Sequence, residues 1–251
     1  LHRVDRRQRQ MCIRDSMASK RGLEAAALRE ELNHSLKTAF ERNPKVLGIW
    51  LAYEPNALDG KDSEFLNDAA RASNERGRFA TYWSRSGGQQ LNTVMVEDDL
   101  TKTTLNLSGT PYNVWYTCPR DSRRTCLLDP YADTIGEDKK QVLMTTISQP
   151  LLVDGKVIGV IGVDIALDSL QAAAGESQRF LFNGAGHMMI VAGSGLLAAV
   201  GADASQVGKN INETLGAQGK DILALLAGSQ NKVLQQGELI RAVYPLSLIH
   251  I

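Results

Sequence analysis

The chain has 251 residues, 43% hydrophobic and 22% charged, with 28 basic against 28 acidic side chains. A chain of this kind buries a core and has room for one large domain plus part of another. Its balanced charge leaves no electrostatic footprint for nucleic acid or an anionic membrane surface, and no run approaches the roughly 20 apolar residues of a membrane helix.

Both ends stand apart. Residues 1–16 are basic without a periodic apolar face and, like the tail 247–251, resemble translated sequencing-adapter sequence. Both are set aside as non-native, and the gene product is expected to extend past them. Read on its residues alone, the leader is a disordered basic tail. Over 17–42, Leu23, Ala27, Leu28, Leu32, Leu36, Ala39 and Phe40 recur at steps of three and four, which predicts a long N-terminal helix within 17–45, stopped by Asn43-Pro44. Residues 46–53 read as a buried strand and 54–60 as a turn-rich loop. A second strand follows at 78–85, with Gly87-Gly88 turning it onto 91–96.

The strongest hairpin signal is Asp154-Gly155 between β-branched runs at 142–152 and 156–165. Asp168 is placed to cap a helix toward Phe182, ended by Asn183-Gly184. A second unit then carries a strand pair at 188–191 and 196–200, a helix near 221–227 and a strand at 238–244, too little for independent stability. The expected class is α+β: the long helix, a module over 46–183 and an incomplete module over 184–246, both with antiparallel sheets.

Three stretches carry the chemistry: Tyr112 to Tyr116, Asp129 to Asp133, and Gly159 to Asp164. Aromatic faces beside two carboxylates suit a small cation, because ring quadrupoles and anions both favour positive charge in a partly dry site. Without a ligand, Asp133 and Asp164 would hold two anions close together and raise at least one pKa, which an ammonium relieves. Each residue also has a plainer role. Asp164 can cap a turn, Asp133 can open the loop toward Gly136, and Trp115 and Tyr116 can be core or edge-strand aromatics. Tyr82 and Trp83 point to opposite sides of one strand, so at most one of them lines the pocket easily; Trp83 is the choice here.

Cys118 and Cys126 bracket a polar loop that a disulfide can close in an oxidising compartment, or they stand as two free thiols; spacing does not choose. Nothing reads as an enzyme, a cofactor fold or a metal site. Outside the ends only His34 and His187 remain, and Gly193-Ser194-Gly195 reads as a hairpin turn rather than a phosphate loop.

In this order, the long helix, Gly77 to Trp83, Trp115-Tyr116, Leu128 to Tyr131 and Gly155 to Ile165 resemble the double Cache sensor domain of bacterial methyl-accepting chemotaxis receptors. That resemblance implies two stacked PAS-like modules, the membrane-distal one binding ligand, in a periplasmic domain anchored to the inner membrane by segments outside this chain, and a homodimer formed along the helix. Amino-acid sensors of this kind place an Arg two residues before the Trp-Tyr pair and a Tyr upstream to hold the ligand carboxylate. Those places carry Asn113 and Ser108 here, while Trp115, Tyr116, Tyr131, Asp133 and Asp164 match the ammonium-binding half. The resemblance therefore implies an amine ligand, with an amino acid as the alternative if Arg78, Arg85 or Arg120 reaches in. The same sensor also suits a histidine kinase or a cyclic-dinucleotide enzyme.

Overall fold

A computed structural model of the chain describes residues 24–106, 108–135, 140–226, 231–236 and 239–244. Both ends set aside above, the first turns of the expected helix and Gly136 lie outside them. Helix α1 (Ala25–Glu41) buries Leu32, Leu36 and Phe40, spaced one turn apart, and breaks at the predicted Asn43-Pro44.

Strand β1 (Gly48–Tyr53) is buried along its whole length and lies inside the main sheet. Its neighbours are β2 (Ala80–Ser86), which turns through Gly87-Gly88 onto β3 (Gln89–Val94), and β7 (Lys156–Ala166). Beyond β7 lies β6 (Lys140–Val153), flanked by the short β4 (Cys126–Leu127) and by β5 (Tyr131–Ile135). All pairings are antiparallel. The β6–β7 turn falls at Asp154-Gly155, both at positive φ, as the hairpin signal requires.

Alternation along the strands divides the core in two. Ile49, Leu51 and Tyr53 pack on α1, while Trp50, Ala52, Ala80 and Val160 face the other side. That second face is covered by α2 (Glu97–Thr101) and α3 (Val114–Ser122). Trp115 and Tyr116 are thus helical, not edge-strand, residues: packing onto the sheet overrides their strand preference.

Cys118 of α3 is disulfide-bonded to Cys126 of β4, with Cα atoms 6.3 Å apart. On the chain-entropy account, closing so short a loop contributes about 2–3 kcal/mol. Thermal melts with and without dithiothreitol should differ accordingly, and coincident melts after complete reduction would show the bond to be energetically idle.

Helix α4 (Leu167–Phe180) follows β7 directly. Its N-cap is Ala166, so Asp168 is not the cap. Asp168 lies in the first turn, where its charge complements the helix dipole. The helix ends at Phe180, and Phe182 and Asn183 continue with left-handed backbone. The second unit holds β8 (Met189–Val191) paired with β9 (Leu197–Val200), α5 (Ile211–Leu215), α6 (Ala217–Leu226), and β10 (Lys232–Gln236) paired with β11 (Leu239–Val243). Its small core gathers Leu197, Val200 and Ile211. Among the described residues, no helix is long and apolar enough to cross a membrane.

Candidate functional site

The second face of the sheet carries the chemistry. Asp164 of β7 is 3% exposed and stands beside Thr146 of β6 and Gly48 of β1 in the strand register. Its Oδ1 accepts from Thr146 Oγ1 at 2.6 Å and Trp50 Nε1 at 3.3 Å, and the Tyr82 hydroxyl donates to the same carboxyl. Burial pushes Asp164 up to about 6, against the three donors and with help from Asp133. Glycines make this arrangement possible. A Cβ at Gly162 would strike the Trp50 ring, and one at Gly48 the Tyr82 ring, so both rings occupy space that a side chain would otherwise fill.

Tyr131 of β5 is buried with its hydroxyl 2.7 Å from Thr146 Oγ1, linking it to Asp164 through one intermediary. Two residues on, Asp133 accepts the Tyr112 hydroxyl on both oxygens, at 2.9 and 3.0 Å. Burial raises the Asp133 carboxyl, opposed by the Thr134 amide, Tyr112 and Lys102. Asp99 of α2 is raised too, by burial and then by Asp133. The Lys102 ammonium lies 4.7 Å from the centre of the Tyr112 ring. Trp115 meets Trp50 edge-on at 4.7 Å between centroids, closing the aromatic wall.

The structure therefore brings Trp115, Tyr131, Asp133 and Asp164 around one centre. Trp83 is elsewhere: it lies on the α1 side, its Nε1 donating to Asn33 Oδ1 at 2.8 Å, and Tyr82 takes the inward place. The Tyr116 hydroxyl meets Arg78 and Glu54, and its ring lies under the Arg78 and Arg120 guanidiniums, so it buttresses Trp115 instead of offering a face to a ligand. Asn113 is spent on the fold, its side-chain amide donating to the Leu100 carbonyl at 3.0 Å. Ser108 bonds within its own turn, to Asn106.

None of the three candidate arginines reaches the carboxylates. Arg78 is paired with Glu97 and Glu54, Arg85 donates to the Phe40 carbonyl on the α1 side, and Arg120 pairs with Asp121. Trp50, Thr146 and Asp99 belong to the centre without having been singled out from the sequence, and Tyr82 belongs to it although Trp83 was preferred. No group of three or more ligating side chains suits a metal ion among the described residues. A separate cleft of about 510 Å³ beside Pro55, Asn56, Leu66 and Arg76 includes Asp62, Arg78 and Glu97, all engaged in ion pairs. The carboxylates of the aromatic centre differ from these: they accept from neutral donors and lack a paired arginine.

Residues 32–172, more than half of the chain, match the family described as methyl-accepting chemotaxis protein-like, first PDC sensor domain. Over 242 residues the chain is 42% identical to methyl-accepting chemotaxis protein TlpQ of Pseudomonas aeruginosa, covering 96% of this chain and 34% of that protein. The chain thus spans about a third of that relative's length. Among solved structures, Methyl-accepting Chemotaxis protein X superposes with a TM-score of 0.65 at 24% identity over 96% of this chain and 87% of that one. The extracellular domain of the putative histidine kinase mmHK1S-Z3 gives 0.64 at 21%, over 90% and 78%. The likenesses to solved structures show the fold and bear out the expected mix of helices and antiparallel sheets. The chain belongs to the methyl-accepting chemotaxis protein-like family, as an extracytoplasmic PDC sensor domain.

Proposed function

We propose that this domain binds a small cationic amine and transmits a conformational signal for chemotaxis, as part of a transmembrane receptor anchored in the inner membrane and paired as a homodimer. In this reading residues 46–183 are the ligand-binding, membrane-distal module and 184–246 belong to the proximal one. The observation that carries the ligand is the cluster of Asp99, Asp133 and Asp164 among Trp50, Trp115, Tyr82, Tyr112 and Tyr131, with every candidate arginine engaged elsewhere. An ammonium gains carboxylate partners and aromatic faces there, whereas a ligand carboxylate would meet like charge. Ligand at ~100 times its dissociation constant adds about 2.7 kcal/mol of stability, so a thermal-shift screen of amines, amino acids and organic acids tests the reading. Shifts with dicarboxylates and none with amines would overturn it.

An amino acid is the second reading, and Lys102 is what favours it. Its ammonium lies on Tyr112 and opposes in small part the upward shift of both Asp99 and Asp133, which places it to meet a ligand carboxylate at the rim. Lys102→Gln separates the two: amine affinity should rise severalfold as a like charge is removed, whereas amino-acid affinity should fall.

Amine binding should also depend on pH. Asp164 must be ionised to pair with an ammonium, and in the free protein it reaches that state only above about 6. Affinity should therefore be full above that pH and fall by up to about tenfold per unit below it, until the bound-state pKa is reached. Calorimetry at several pH values between 4.5 and 8 checks this, and a flat profile would remove Asp164 from the ligand contacts.

A further inference from the structure

We infer that Asp129 is the latch through which the ligand site moves the second unit, an inference that rests on the amine reading for its ligand. Asp129 lies at the front of the segment leading into β5. Its two carboxylate oxygens accept successive backbone N–H groups in the β8–β9 turn, Gly193 at 3.2 Å and Ser194 at 3.1 Å.

The same segment is tied to the site. The Leu128 amide donates to the Thr146 carbonyl at 2.9 Å, the Thr145 hydroxyl donates to the Leu128 carbonyl at 2.6 Å, and Thr146 in turn holds Asp164 and Tyr131. Asp133 follows on β5, so displacing it drags the Asp129 segment, and the fork transfers the movement to the hairpin turn.

A second tie meets the same hairpin from the other acid. Helix α4 continues from β7 and Asp164, and its Gln171 side-chain amide is bonded at both ends to Val200 of β9: Nε2 donates to the Val200 carbonyl at 2.5 Å, and Oε1 accepts from the Val200 N–H at 2.7 Å. The hairpin is thus held at its turn by the segment that enters the Asp133 strand and along β9 by the helix that leaves the Asp164 strand. An ammonium that pairs with Asp133 and Asp164 changes their mutual repulsion, and the hairpin is where both strands deliver the change. Such coupling requires that ligand favour one arrangement of strands and hairpin over the other.

The test follows amide exchange at Ala192 and Gly195 by NMR on the whole chain. Both amides are bonded inside the hairpin and not to Asp129. Saturating 1,3-diaminopropane should change their exchange at least about fivefold in the parent. In Asp129→Ala the response should vanish while calorimetry still shows the diamine bound, and Asp129→Asn, which keeps one acceptor oxygen, should respond in part. An equal response in Asp129→Ala, or none in the parent with diamine bound, overturns the latch. If the diamine does not bind the parent, the amine reading loses its support, and the latch is read with Asp164→Asn, which neutralises the site from within. Exchange at Ala192 and Gly195 should then differ between the parent and Asp164→Asn, but not between Asp129→Ala and the double variant. Any other pattern overturns the latch.

Discussion

Arg29→Ala should destabilise the domain by about 3–5 kcal/mol, the cost of leaving buried charges without their partner. Arg29 of α1 is 0% exposed and makes five hydrogen bonds: two to Asp59, and one each to Asp62, the Ser73 hydroxyl and the Gly77 carbonyl. Its guanidinium also lies 4.3 Å from the Phe65 ring centre. Truncation to Ala would strip these acceptors at once and leave a cavity at the helix–loop junction. Arg29→Lys keeps the charge but not the planar fork, so it should recover only part of the loss. Chemical denaturation of the three proteins measures the effect, and a loss below about 1 kcal/mol for Arg29→Ala would mean that water replaces the fork.

The pH dependence of this junction has a definite sign. Burial raises the Asp59 carboxyl, but the Arg29 fork, with help from the Lys61 amide, more than reverses this and holds it below its ordinary 3.8. Its contribution is therefore complete above that value and is lost as pH falls through the lower folded-state pKa. The loss belongs to the acid limb, and Arg29→Ala should flatten it.

The sequence revealed α1 through Leu32, Leu36 and Phe40, yet concealed Arg29. Helical periodicity assigns apolar residues to the core and charges to solvent, and the partners that overrule this lie at Asp59, Asp62 and Ser73, reached only after the loop folds back. Strand alternation established that Tyr82 and Trp83 face opposite ways, but not which side would receive α1. Asn33, which takes the Trp83 indole, decides that. Asp133 and Asp164 were legible because each stands in an apolar or aromatic run. Asp99 was not: Glu97-Asp98-Asp99 reads as a solvated acidic stretch until the fold buries Asp99 within electrostatic reach of Asp133. Trp50 looked like plain core because its role depends on Gly162, its cross-strand neighbour, lacking a side chain.

Asp164→Asn should move ligand affinity and free-state stability in opposite directions, and that opposition separates a binding carboxylate from a structural one. The substitution removes a charge-assisted partner from a partly desolvated ammonium, typically worth about 1.5–3 kcal/mol, so amine affinity should fall at least about tenfold. In the ligand-free protein the sign reverses. A carboxyl whose folded-state pKa is raised from 3.8 to about 6 binds protons more tightly than in the unfolded chain, so the fold loses stability as pH rises through that window. At neutral pH the penalty is of order 3 kcal/mol, and Asn escapes it while keeping an oxygen for Thr146 and Trp50. Free Asp164→Asn should thus melt above the parent at pH 7.5 and close to it at pH 4, where the parent carboxyl is protonated. A carboxylate that served only the fold would behave otherwise, since its loss lowers stability at neutral pH and leaves affinity nearly untouched. Calorimetry and melts on the one variant distinguish these outcomes. Asp164 lies within β7 and is paired on both sides, so the turn-cap reading of the sequence is already excluded; lower stability at pH 7.5 with unchanged amine affinity would make it a buried structural carboxylate and the proposed site wrong.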